Sequence, residues 1–356
     1  MKLIHCADLH LDSPMESNLS PEKARERKGE LRAAFSRMVR AGADARVDAI
    51  LIAGDLFDSD RVTKSTGKYV LDLIASYPSI RFFYLAGNHD RGGTWKGHET
   101  LPDNLYTFED TWTSYELGEN VVLTGSERPI PETLSLNPAR INLVMLHGQL
   151  VSGRGNAKED VIHLGKYKKR GIDYMALGHV HDYRTTELQD HRGIACYSGC
   201  AEGRGFDECG QKGYVLIEIE NGKLSHKFVS NAARRLHAVE CDISGCASAL
   251  EIEQRVLRAT EKIASCDMVK VILNGKLSPD VQKDKTGLCQ VLSDRFYFAK
   301  VKDESGILIR FEDYRNDISL KGEFVRRVLA ADLTEAERER IIACGLRVLD
   351  GEEVGL

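Results

Sequence analysis

The sequence predicts an α/β layered fold, followed by a second, smaller α/β unit and two terminal helices. Short apolar β-runs alternate with helix-like stretches through the first half of the chain, four of those runs stop on glycine or histidine, and the pattern changes character after Arg235. Strand, helix, strand in alternation is the mark of layered α/β architecture, in which ligands are displayed at the carboxyl ends of strands. A chain of 356 residues with 42% hydrophobic content fits this division, because single cores rarely grow past roughly 250 to 300 residues.

The elements follow in order. Lys2 to Cys6 is a short β-run, and Ser20 with Pro21 supplies an N-cap and a first-turn proline for an amphipathic helix reaching about Gly42. The run Ala49 to Ala53 stops at Gly54, a helical stretch spans Val62 to Ser76, and the run Arg81 to Ala86 stops at Gly87. Ile141 to Leu146 ends at His147, and Asp173 to Leu177 ends at Gly178. From Ile194 onward the runs read as antiparallel, with Tyr214 to Ile219 and Leu224 to Val229 joined through an Asn221-Gly222 hairpin turn.

Past Arg235 the pattern predicts a strand (Leu236 to Cys241), a long helix (Ala247 to Ala264), and strands at Met268 to Leu273 and Phe296 to Val301. The tail predicts helices over Ser319 to Ala330 and Thr334 to Leu349, the second opened by a Thr334-x-x-Glu337 capping box. Phe324, Val325, Val328 and Leu329 share a face, as do Ile341, Ile342 and Leu346, faces suited either to packing on their own unit or to a partner. The domain boundaries expected are therefore 1–235, 236–316 and 317–356.

Composition excludes several classes. Lys and Arg number 49 against 54 Asp and Glu, a net charge of −5, so no whole-chain basic excess advertises nucleic acid. Nine cysteines, scattered without a C-x-x-C pair, argue against a secreted disulfide framework and fit a reducing cytoplasm. Cys196, Cys200 and Cys209 form the one loose cluster, for which ordinary buried thiols outweigh a structural zinc. No run approaches the roughly 18 apolar residues of a membrane span, so a soluble, cytoplasmic protein without a membrane partner is expected.

Five short segments carry the chemistry: Asp8-x-His10, Gly54-Asp55-x-x-Asp58, Gly87-Asn88-His89-Asp90, His147-Gly148 and Gly178-His179-x-His181. Each sits where a β-run ends. Singly, a His or Asp there is more often a cap or turn residue than a ligand, but five in sequence form a constellation. Imidazole, carboxylate and amide oxygen suit mid-hardness divalent cations such as manganese, and the absence of thiolates argues against structural zinc or iron–sulfur. Alternate residues of an extended strand share a face, which would let Asp8 and His10, or His179 and His181, grip a common site. A carboxylate such as Asp55 has two oxygens and can bridge two ions about 3.5 to 4 Å apart.

In this order and spacing the segments resemble the calcineurin-like metallophosphoesterases over residues 1 to about 235. The strings H-C-A-D-L-H-L-D-S-P, G-D-L-F-D, G-N-H-D and L-H-G-Q resemble the double-strand-break-repair nuclease branch, bacterial SbcD and YhaO-like proteins. The resemblance implies a four-layer α/β/β/α sandwich, a small α/β capping domain and C-terminal helices. It implies one metal held by Asp8, His10, Asp55 and His181 and a second held by Asp55, Asn88, His147 and His179, both expected to be Mn2+. It makes His89 the residue that protonates the leaving oxygen or stabilises the transition state, with Asp90 orienting its ring. Archaeal members of the branch have a His where Asp58 stands, so that role does not transfer.

Basic residues follow the ligand segments: Arg61 and Lys64, Arg91 and Lys96, Arg154 and Lys158, then Arg184. Of these Arg61, Arg91 and Lys96 are the candidates for tracking a phosphate backbone, against the ordinary frequency of basic residues in loops. Trp95 is either a base-stacking platform or a structural tryptophan, and Lys166, Lys168, Lys169 and Arg170 read as a solvated face. His5 alternates inward as a core residue. The resemblance implies DNA as substrate, cut by exo- and endonuclease activity, and a separate SbcC-type coiled-coil ATPase as partner, and it admits a homodimer. The chain has no G-x-x-x-x-G-K-[S/T] loop of its own. The competing expectations are a small-molecule phosphodiesterase or phosphomonoesterase with the same ligands, and a DNA-end-binding scaffold.

Overall fold

The computed structural model describes residues 1–15, 19–59, 62–91, 95, 100–151, 160–278, 281–308 and 314–349. The chain divides into two compact units, Met1–Arg235 and Leu236–Leu356. Among the described residues no helix is long and apolar enough to cross a membrane.

The first unit runs β1 (Lys2–Cys6), α1 (Pro21–Asp44), β2 (Ala49–Ala53), α2 (Lys64–Ala75), β3 (Arg81–Leu85), β4 (Leu105–Thr107), β5 (Thr113–Gly118), β6 (Val121–Gly125) and β7 (Ile141–His147). It continues with β8 (Gln149–Val151), β9 (Val161–His163), β10 (Tyr174–Gly178), β11 (Arg184–Glu187), β12 (Ile194–Tyr197), β13 (Gly213–Glu220) and β14 (Lys223–Ser230). Two six-stranded sheets result, ordered β14-β13-β1-β2-β3-β4 and β11-β12-β10-β7-β6-β5. The β1, β2 and β3 strands run parallel, as do β7 and β10.

Strand alternation sorts the apolar side chains into layers. Leu3, Leu51, Phe83 and Leu85 of the first sheet meet Leu123, Leu143, Met145 and Ala176 of the second in one inner core. Ile4, Ile50, Ile52 and Phe82 face the other way, under Phe35, Met38 and Val39 of α1 and Val70 and Ile74 of α2. Because both faces are covered, β2 reads as an unbroken apolar run. The outer face of the second sheet, Val144, Leu146, Met175 and Leu177, is covered by Leu134, Leu164 and Tyr167, which lie in or beside short 3-10 turns at Pro131–Thr133 and Leu164–Tyr167.

Local signals account for the element ends. The Ser20 side chain accepts from Lys23 N ahead of Pro21, and Thr63 caps α2 by accepting from Thr66 N. Asn221 and Gly222 both have positive φ, 51° and 75°, as a two-residue primed turn requires, and β13 and β14 pair antiparallel across it. One strand earlier the antiparallel reading holds on one side alone, since β12 runs antiparallel to β11 and parallel to β10. An edge strand, β11, fully exposed and polar, intervenes in the chain without an apolar run to announce it.

The second unit contains β15 (Leu236–Asp242), α3 (Ala249–Ala259), β16 (Met268–Asn274), β17 (Lys276–Leu277), α4 (Lys285–Arg295), β18 (Phe298–Asp303), β19 (Gly306–Ile307), α5 (Leu320–Ala330) and α6 (Glu335–Leu349). Strands β15, β16 and β18 form a parallel sheet. Helix α3 ends at Ala259, short of Ala264, where the Thr260 hydroxyl turns back to donate to Val256 O at 2.9 Å. Helices α5 and α6 bury Val325, Val328, Ile342 and Leu346 together and leave Leu320 72% and Val348 54% exposed. The capping box is formed: Glu337 N donates to Thr334 Oγ1 at 3.3 Å and Thr334 N to Glu337 Oε2 at 2.8 Å.

Candidate metal centre

The loops leaving β1, β2, β3, β7 and β10 meet. Asp8 N donates to Gly54 O at 3.0 Å, His10 N to Asp55 O at 3.1 Å and Leu11 N to Leu56 O at 3.0 Å, zipping the first loop to the second. The second sheet joins through His179 N, which donates to both oxygens of Asp8 at 2.9 and 3.1 Å.

Strand alternation does not produce this convergence. Asp8 (φ 52°), His10 (φ 43°), Asp55 (φ 49°) and His179 (φ 100°) all have positive φ, and Asp8 and His10 lie beyond the end of β1. The side chains meet because left-handed loop backbone turns them inward, a conformation that costs L-residues roughly 1–2 kcal/mol each and gathers at functional sites. Two glycines allow the approach. A Cβ on Gly54 (φ 94°) would stand 2.1 Å from His147 Nδ1, and one on Gly87 2.1 Å from Asp55 Oδ1.

Ligand atoms of Asp8, His10 and His181 lie within 4.8 Å of one another, as do those of Asp8, Asp55 and His147 and those of His10, Asp58 and His89. Asp8 thus faces two groups. Asn88 Oδ1 lies 2.9 Å from His147 Nε2 and 3.2 Å from His179 Nδ1. None of these groups includes a cysteine, and all nine cysteines are free thiols.

The donor set fits divalent cations. His147 Nδ1 donates to Ala53 O at 2.9 Å, because a carbonyl only accepts; once the ring is neutral, its Nε2 presents a lone pair toward Asp55 Oδ2 at 3.3 Å and the Asn88 oxygen, and without a cation a proton on Nε2 bridges the same acceptors. Three acceptors gathered round one point are reconciled by a cation. His10 is fully buried and neither ring nitrogen makes an aligned hydrogen bond. Burial opposes a charge on His147, yet Asp55 beside it raises the ring to about 9. Burial likewise works against the Asp55 carboxylate, but His147 and His10 hold it well below the usual range. The His10 ring, ahead of Arg204, holds Asp58 down to about 2.

His89 is exposed at the rim, its Nδ1 3.1 Å from the carbonyl oxygen of Asp58 and its main-chain N donating to Asp55 Oδ1 at 3.0 Å. The atom holding its ring is thus the Asp58 carbonyl, where Asp90 was expected. Asp90 is fully buried and accepts from Gly87 N at 2.7 Å and Phe57 N at 3.1 Å, so it clasps the two loops instead.

Sequence reasoning missed the layer behind the ligands. Glu208, 4% exposed, accepts from His181 Nδ1 at 2.7 Å and is held down against burial by His181 and Arg204. Arg204 reaches both Glu208 and Asp58. Lys212, 1% exposed, donates Nζ to His181 O at 2.8 Å. The one available signal was a dense polar stretch following an apolar strand, Glu202 to Lys212.

Of the basic candidates, Arg91 donates to Glu127 O at 3.2 Å and lies 3.7 Å from Asp160 Oδ1. Arg61 and Lys96, like Arg154 and Lys158, lie outside the described residues. Arg184 is exposed on β11. Trp95 packs edge-on against Phe57 and Tyr84, ring centroids 5.8 and 5.6 Å away, at the margin of the α1/α2 core; that packing, and not a base, occupies the ring. Beside His147 opens a cleft of about 320 Å³, lined by Arg91, Glu127, Arg128, Ile130 and Asp160.

Comparison with known proteins agrees with this geometry. The family described as calcineurin-like phosphoesterase matches residues 1–183. The metallophosphoesterase YhaO of Bacillus subtilis is 30% identical over 249 residues, 64% of this chain and 60% of that protein. The DNA double-strand break repair protein Mre11 of Methanopyrus kandleri is 24% identical over 398 residues, 99% of this chain and 82% of that one. The SbcD component of the SbcCD nuclease of Escherichia coli is 21% identical, with 96% of each chain covered. A dimetal phosphatase from Danio rerio aligns with TM-score 0.43 and 10% identity, over 65% of this chain and 96% of that one, too distant to carry an argument.

Proposed function

Since the chain belongs to the calcineurin-like phosphoesterase family, we propose that it is a metal-dependent DNA exo- and endonuclease subunit that hydrolyses phosphodiester bonds in double-strand-break repair. The observation that carries the chemistry is the pair of ligand groups sharing Asp8, all oxygen and imidazole. On this reading Asp8, His10, Asp55 and His181 would hold one cation, and Asp55, Asn88, His147 and His179 a second. When bound, a pair of cations such as Mn2+ would lower the pKa of water and neutralise charge on the phosphoryl oxygens.

The chain's own residues supply position and one proton. Left-handed loop backbone and the clasp of Asp90 hold the ligands in place, and the Asp58 carbonyl fixes the His89 ring so that its Nε2 can give a proton to the leaving oxygen. Cleavage then adds water across one P–O bond: the water oxygen bonds to phosphorus as the P–O bond breaks, His89 gives its Nε2 proton to the departing oxygen, and the proton released by the water restores the ring.

DNA as substrate rests on relatives named as a double-strand break repair protein and as part of a nuclease, each aligned along 96% or more of this chain. The cleft beside His147, with Arg91 and Arg128 in its wall, gives a flanking phosphate somewhere to lie. The exposed Leu320 and Val348 of the terminal helices offer a face for an SbcC-type ATPase.

Hydrolysis of end-labelled duplex DNA in Mn2+, set beside a chromogenic phosphodiester and cyclic nucleotides, tests the proposal. Preferred cleavage of duplex supports it. Turnover of small esters alone would replace it with a small-molecule phosphodiesterase.

A further inference from the structure

Both histidines of the group formed by Asp8, His10 and His181 are backed by carboxylates. Asp58 Oδ1 lies 2.8 Å from His10 Nδ1 as a charge contact off the axis of a hydrogen bond, and Glu208 Oε1 accepts from His181 Nδ1 at 2.7 Å. One guanidinium joins those two carboxylates. Arg204 Nη1 donates to Asp58 Oδ1 at 2.8 Å, while Nε and Nη2 donate to Glu208 Oε1 at 3.2 and 2.9 Å. Its own main-chain N donates to Glu208 Oε2 at 2.7 Å. The other group is backed differently: His147 Nδ1 donates to the main-chain carbonyl of Ala53.

We propose that Arg204 is a positioning residue that sets the affinity of one of the two cation positions, that of His10 and His181, by fixing the His181 imidazole through Glu208 and holding the Asp58 carboxylate against His10. The inference rests on the two-cation reading above. A carboxylate behind a liganding imidazole fixes the ring's orientation and tautomer and strengthens it as a donor, and loss of such a partner typically weakens metal binding 10- to 100-fold. Asp58 and Glu208 would repel one another if left bare, and a single planar fork serves both. Lysine, a point charge on a flexible stem, cannot span the two with the same hydrogen bonds. The carbonyl behind His147 is untouched by a change at 204, so the effect falls on one position.

Calorimetric titration of the metal-free, full-length protein with MnCl2 tests this, alongside Arg204→Lys and Glu208→Gln, with thermal unfolding of each metal-free protein as the fold control. The expected result is two classes of site in the parent and, in both variants, one class weakened 10- to 100-fold with the other unchanged. Unchanged binding in both classes, or equal weakening of both, overturns the inference. Should Arg204→Lys prove unfolded, Glu208→Gln decides alone, since it keeps the side chain's shape and an acceptor toward His181 while removing the charge. A parent protein that takes up fewer than two equivalents instead refutes the two-cation reading itself.

Discussion

The Nδ1 atom of His89 lies 3.1 Å from the main-chain carbonyl oxygen of Asp58. A carbonyl accepts only, so Nδ1 carries a hydrogen, and on the proposed function Nε2 is the atom left to meet the leaving oxygen. His89→Ala is expected to lower kcat for a Mn2+-dependent phosphodiester assay about 10²- to 10⁴-fold while calorimetric Mn2+ uptake stays as in the parent. Because the contact is to main chain, Asp58→Asn should keep the His89 ring in place. Near-normal turnover in His89→Ala would remove it from the mechanism.

Asp90 accepts two buried amide hydrogens, from Gly87 and Phe57. Asp90→Ala leaves both unpaired, and each such loss costs about 1–3 kcal/mol. Urea unfolding should show a destabilisation on the order of 2 to 6 kcal/mol, with Asp90→Asn less affected because its amide oxygen keeps one acceptor. A variant as stable as the parent would show the clasp to be dispensable.

A methyl group at position 87 meets Asp55 Oδ1 at 2.1 Å and Asp55 N at 2.6 Å. Gly87→Ala must therefore move Asp55, and overpacking of this kind costs about 1–3 kcal/mol. Mn2+ affinity is expected to fall by roughly 5- to 150-fold, the same range read as a binding constant. Unaltered titration curves would show that Asp55 yields without consequence.

His5 is fully buried between the sheets, Nδ1 2.9 Å from Tyr174 Oη, and burial pulls its pKa down from 6.5 to about 3. Between those values the unfolded chain binds a proton that the folded ring refuses. The neutral-His5 contribution to stability is therefore whole above about 6.5 and lost as pH falls toward 3, at up to about 1.4 kcal/mol per pH unit. Urea unfolding at pH 7 and pH 5 should show a larger drop for the parent than for His5→Gln. Parallel losses would place the acid sensitivity elsewhere.

Most of the strands that carry the site were legible because they are apolar runs that stop on a glycine or a candidate ligand: Ala53 before Gly54, Leu177 before Gly178. The residues behind the ligands were not. Arg204 and Asp58 are 146 positions apart, and a polar loop gives no period by which to read a partner. Helix α4 escaped for a related reason, since it buries only Leu288 and Leu292 and shows a single turn's worth of apolar pattern. The sequence left Trp95 open between stacking and structural roles, because nothing near it in the chain foretells Phe57 and Tyr84 beside it.

The positive φ angles at Asp8, His10, Asp55 and His179 restrict the alphabet of the site beyond its coordination chemistry. A cation would accept a glutamate oxygen as readily as an aspartate one. The backbone favours the shorter residue, because outside glycine left-handed φ is enriched in Asn, Asp and His, although Met15, Arg46 and Lys169 of this chain adopt it as well. Aspartate, asparagine and histidine satisfy both demands at once, which is why the inventory is so short. Asp55→Glu, conservative by charge, is a backbone substitution in disguise, whereas Asp55→Asn preserves the turn and changes only the ligand.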